Sequence, residues 1–146
     1  SDSNNEVFAG GGLIYNDINF ITGTGIATLT GSNAFSTFTI NAPKTVKFTA
    51  NTTTTVTSFV ATGTGANPIV IDNTTATGSL AATLSDASGT NTVYYCTIGT
   101  TYNVNAAGGA TWNALTTDGN TVTNGTGWTT AGGATGYMTC NKMWGA

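Results

Sequence analysis

Residues 36–71 read STFTINAPKTVKFTANTTTTVTSFVATGTGANPIVI, and this stretch decides the fold. It holds three strand-like triplets: Phe38-Thr39-Ile40, Val46-Lys47-Phe48 and Ile69-Val70-Ile71. Runs of Thr, Asn, Gly and Ala separate them, and Pro43 and Pro68 are the chain's only prolines. Period-two alternation is the signature of half-buried strands, and the flanking Gly, Asn and Pro clusters are turn chemistry. The strands expected from this pattern are short, about three to five residues each.

Working outward, the same motif recurs. Phe38-Thr39-Ile40 lies 20 residues after Ile18-Asn19-Phe20, and Phe59 lies 21 residues after Phe38. A second series, Ala27–Leu29, Val46–Phe48 and Ile69–Ile71, is spaced by 19 and then 23 residues. A repeat near this length predicts a solenoid, because each unit can bury its apolar face only against its neighbours. The expected fold is therefore all-β, a single-domain parallel β-solenoid of five or six coils. Ile18, Phe38 and Phe59 should form one column, and Val46 or Phe48 should stack on Ile69 or Ile71 in another. The alternative is an antiparallel β-sandwich or jelly roll, which short Thr-rich strands also permit.

Past Ile71 the spacing blurs. Leu80–Leu84 and Thr92–Ile98 both read as strands. In the second, Tyr94, Cys96 and Ile98 would share one face, and Val93, Tyr95 and Thr97 the other. Bulk on both faces predicts a strand covered on both sides. The reading divides the chain into a polar N-terminal arm at 1–9, a solenoid body at 10–128, and a capping or partner-docking segment at 129–146.

Composition narrows the chemistry. The chain has 146 residues, enough for one domain with a real core. Only 6% of them are charged, against about a quarter in ordinary soluble domains, with a net charge of -3. Thr accounts for 34 residues and Gly for 20, so hydroxyls and amides must carry the polar surface. At 39% hydrophobic the chain is not starved of apolar residues as disordered sequences are. Three lysines and no arginine make no basic patch for nucleic acid, and no apolar run reaches the ~20 residues that span a bilayer. With no histidine, the usual triads, His-based zinc sites and proton shuttles are excluded. Neither an enzyme nor a cofactor is expected.

The ordered series ITGTGIATLTGSNAF, TFTINAPKTVKFTA, TTTTVTSFVATGTG, ATLSDASGT, TVYYCTIG, GGATWNA and NGTGW resembles a β-solenoid-like module. Such modules recur in structural and fibre proteins of tailed bacteriophages and in metagenomic virus-derived sequences. The resemblance covers about residues 12–128. It implies a structural role on the virion surface or outside the cell, with no catalytic residues to carry over.

The remaining notable residues each have a structural reading beside a functional one. Cys96 and Cys140 could pair, closing a loop of 44 residues, or Cys96 could be a buried free thiol acting as a small hydrophobe. Trp112 and Trp128 could stack on a glycan, or they could plug the end of the coil. Asp17, Asp72, Asp86 and Asp118 look like turn formers, and no local motif supplies the six to eight oxygens that calcium takes. Asn51-Thr52-Thr53, Asn73-Thr74-Thr75 and Asn124-Gly125-Thr126 match glycan acceptor sequons, as a chain so rich in Asn and Thr will do by chance. Tyr137, Met138, Met143 and Trp144 are the expected partner-binding residues of the C-terminal segment, with Trp144 the principal anchor.

The expected function is thus a non-enzymatic virion surface protein: a decoration, spike or fibre subunit. Its partners would be copies of itself or major virion proteins. The alternatives are a carbohydrate- or receptor-binding module for a host-surface glycan, and a bacterial surface adhesin or filament subunit outside the cell.

Overall fold

The computed structural model describes residues 3–75 and 80–132. Every strand pair in it is parallel, and consecutive strands pair with the coil before and after rather than with each other. The chain is a β-solenoid of about five turns. That topology excludes the antiparallel sandwich or jelly roll.

One sheet holds β1 (Glu6–Ala9), β3 (Ile26–Thr30), β5 (Lys44–Phe48), β7 (Ile69–Asn73), β10 (Cys96–Ile98) and β13 (Thr121–Val122), stacked in that order. The other holds eight strands. Its first coils contribute β2 (Ile14–Phe20), β4 (Asn33–Asn41) and β6 (Thr53–Thr62). Its later coils contribute β8 (Ala82–Asp86), β9 (Thr90–Tyr94), β11 (Val104–Gly108), β12 (Thr111–Asn113) and β14 (Trp128–Thr129).

The long strands of this second sheet change phase in the middle. In β4 the buried residues are Asn33 and Phe35, then Phe38 and Ile40; in β6 they are Thr54 and Val56, then Phe59 and Ala61. Two outward residues in succession, Ser36-Thr37 and Thr57-Ser58, mark the slip, and Thr37 pairs with Ser58. The sheet therefore has two arms that meet at a corner. In the later coils the corner becomes a break, so β6 pairs with β8 along one arm and β9 along the other. Strands of nine and ten residues, longer than the sequence pattern implies, arise because they run through this corner.

The columns follow the repeat. Ile18 pairs with Phe38, and Phe38 with Phe59. Val46 pairs with Ile71, as expected, but Ile69 sits against Lys44 and Phe48 against Asn73. The second series is therefore two residues out of register at its third member, because the loop at 63–68 delays re-entry into the sheet. The first strand begins at Glu6, inside the segment read as a polar arm. Its anchor is Lys44, whose enclosed Nζ meets Glu6 Oε1 at 2.9 Å across the intervening coil.

Thr92–Ile98 is not one strand. Tyr95 has φ 49°, a left-handed conformation that costs a non-glycine residue of order 1–3 kcal/mol. It turns the chain between sheets within one residue. The alternation reverses across it: Val93 is buried before the turn, Cys96 and Ile98 after it, while Tyr94 and Tyr95 are exposed. Backbone bonds hold the turn, with Tyr95 N donating to Asp118 O and Tyr95 O accepting from Ile69 N. Gly119, at φ 76°, lies under the Tyr95 ring, where a Cβ would collide with it.

A chain of aromatic rings runs through the core. Phe35 meets Phe38 at 5.4 Å between centroids, Phe38 meets Phe59 at 5.4 Å, and Phe59 meets Trp112 at 5.8 Å. Trp112 meets Trp128 edge-on at 5.4 Å. Buried carboxamides and carboxylates satisfy the backbone where turns interrupt the ladders. Asn91 Oδ1 accepts from Phe59 N at 2.8 Å while its Nδ2 donates to Asp86 Oδ2. Asn120 Oδ1 accepts from Cys96 N, and its Nδ2 donates to Val93 O and Leu115 O. Asp72 Oδ1 accepts from Tyr102 N.

Candidate functional surface

The acidic residues do not converge. Asp72 and Asp86 are buried and occupied by backbone and side-chain donors, Asp17 lies on the outside of β2, and Asp118 closes the 3-10 helix Thr116–Asp118. Among the described residues no three His, Cys, Asp or Glu come together as metal ligands, and no cavity opens. No helix among them is long and apolar enough to cross a membrane.

Cys96 is a buried free thiol. Burial in the apolar core pushes its pKa up to about 12, and a hydrogen bond to the Tyr94 backbone offsets this in part. A thiol held protonated is a poor nucleophile. Cys140 lies outside the described residues, as do Tyr137, Met138, Met143 and Trp144.

Trp112 does not sit on the surface as a glycan platform would require. It is 2% exposed, with Phe59 and Trp128 beside its ring, and its indole N–H donates to Ala107 O. Trp128 is half-buried and donates to Val104 O. Both rings continue the Ile18–Phe38–Phe59 column, which is why they face inward. Among the described residues the exposed aromatic ones are Tyr94 and Tyr95, at the turn between sheets.

The surface that does stand out is the first coil. Val7 is 70% exposed, Leu13 62%, Ile14 86% and Ile21 60%. Among the described residues β1 pairs with β3 alone and β2 with β4 alone, so one edge of each is unpaired. The side chains that would form the core between these edges, Phe8, Tyr15 and Ile18, are covered on one side by the second coil. Leu13 and Ile14 carried this signal in the sequence, but a strand count could not place it at an edge.

No protein family, curated protein or solved structure matches this chain. The fold class is that of parallel β-solenoids, defined by the strand register above.

Proposed function

We propose that this chain is a non-enzymatic structural subunit of a virion surface, a decoration, spike or fibre component of the tailed-phage type. It joins its neighbours through the first coil. The observation that carries this reading is the coincidence of unpaired β1 and β2 edges with exposed Val7, Leu13, Ile14 and Ile21. An unpaired strand edge is a template for another chain, and proteins that remain alone blunt such edges with charge, proline or cover. Here the exposed side chains of the first coil include the aliphatic Val7, Leu13, Ile14 and Ile21, with Asp17 the one exposed charge on the two edge strands. The sequence resemblance to phage solenoid modules supports the virion setting, and the low charge leaves little electrostatic resistance to packing subunits together.

The partner is another copy or a major virion protein presenting an extended strand. Its backbone would complete the ladder while its apolar side chains cover Phe8, Tyr15 and Ile18. A bacterial surface filament would use the same joint with a different partner. Sedimentation over a concentration series tests the reading. The native chain should associate, and Val7→Lys with Ile14→Lys should abolish association while leaving the circular dichroism of the strands intact. A native chain that remains a monomer, alone and with candidate virion proteins, contradicts it.

A further inference from the structure

One arm of the larger sheet presents an ordered array of short hydroxyl side chains. Thr37 pairs with Ser58, and Thr90 with Thr111, in one outward file. Thr39 pairs with Val60, Thr92 with Asn113, and Asn113 with Thr129 in the next. The two halves meet where Ala61 pairs with Val93 and Thr62 with Tyr94; continued back along the strands, that offset would set Ser58 against Thr90 and Val60 against Thr92. The strands β4, β6, β9 and β12 thus each contribute an outward pair separated by one inward residue, and β14 adds Thr129. The inward residues are Phe38, Phe59, Asn91 and Trp112, all buried, so a rigid floor holds the files in place.

Most hydroxyls of this array are unused by the protein; the Thr92 hydroxyl accepts from Asn113 Nδ2 within its own file. Some threonines elsewhere spend theirs on the backbone, as when Thr49 Oγ1 donates to Leu29 O and Thr52 Oγ1 to Thr49 O, although among the described residues others, such as Thr53, Thr55 and Thr57, do not. On the array, the Thr37, Thr39, Ser58, Thr90, Thr111 and Thr129 hydroxyls have no partner among the described residues. Parallel strands fix neighbours within a file about 4.8 Å apart, and alternate residues fix the files about 6.6 Å apart. The array carries no lysine, and its one acid, Asp17, sits on the end coil.

We propose that this face binds ice. The two spacings approximate the repeats of water oxygens on faces of ice. The alternating hydroxyl and methyl groups of Thr, with isosteric Val60, allow water to be both hydrogen-bonded and ordered against apolar surface. Each contact is weak, but a lattice engages every coil at once, and repeated weak contacts on a rigid scaffold add up to retention. A crystalline polysaccharide has comparable periodicity. Its recognition draws on exposed aromatic faces, and on this arm the rings lie beneath the hydroxyl files. The inference does not rest on the assembly role.

The test is partition into ice. A slowly growing ice front should take up the native chain and exclude a control protein of similar size. The Thr39→Lys/Thr92→Lys variant should lower the captured fraction at least about fivefold, because it breaks several rows at once. Thr90→Lys/Thr111→Lys, in the other file, should do the same, so that misfolding of either variant leaves a second reading. Ala66→Lys, in the exposed 63–68 loop, should be captured like the native chain. Exclusion of the native chain from ice overturns the proposal. So does undiminished capture of both folded variants, and so does exclusion from ice with retention on crystalline cellulose, which would assign the face to a polysaccharide.

Discussion

Phe38 and Phe59 lie opposite each other on adjacent parallel strands, their centroids 5.4 Å apart and their planes within 21° of parallel. Phe38 also touches Phe20, Phe35 and Phe48, so one ring links three coils. Removing it leaves a cavity that rigid strands cannot collapse to fill. Phe38→Ala should therefore cost about 3–5 kcal/mol in denaturant melts. Thr53→Ala, on the exposed side of β6, should cost well under about 1 kcal/mol. Equal losses at the two sites would refute the column as the source of stability.

Tyr95 tests the turn between sheets. Its left-handed backbone tolerates Asn, whose short side chain accepts that region, but not a β-branched residue. Tyr95→Asn should change stability by less than about 1 kcal/mol, and Tyr95→Val should lower it by about 2 kcal/mol or more. If Val is tolerated as well as Asn, the turn is not held in the left-handed region.

The Cys96 thiol gives a pH dependence with a definite sign. Its pKa is raised from 9.0 to about 12 by burial, so the folded chain keeps a proton that the unfolded chain releases first. The stability linked to that proton is fully present below pH 9 and is lost as pH rises from 9 toward 12. Below pH 9 the group contributes no slope, and the low charge of the chain agrees with near-constant stability from about pH 5 to 9. In a Cys140→Ser background, a thiol reagent at pH 8 should modify Cys96 far more slowly in the native chain than in denaturant. Equal rates would place the thiol at the surface.

Much of this fold was legible in the sequence. The 20- and 21-residue steps from Ile18 to Phe38 to Phe59 are the coil length, and they survive because apolar residues repeat without interruption. Legibility fails at the fourth coil, where the chain inserts residues at 74–81 and again between Asp86 and Thr90. Asn91 then occupies the aromatic column, because the broken ladder leaves Phe59 N–H in need of an acceptor. A buried polar residue in that position hides the continuation to Trp112, which the sequence left open between a glycan platform and a plug at the coil's end. Tyr95 conceals the next boundary, since nothing in Val93–Ile98 announces a reversal of phase. The open first coil was invisible for a different reason: which strand lacks a neighbour is a property of the stack, not of any segment.

Amide hydrogen exchange on the chain before and after assembly tests the central claim most directly. If the first coil is the joint, amides within Glu6–Ala9 and Ile14–Phe20 should slow by about a hundredfold or more on assembly as their open edges become paired. The inner strands β4 to β7 should change little. Assembly that leaves the first-coil amides exchanging at the monomer's rate would contradict the account.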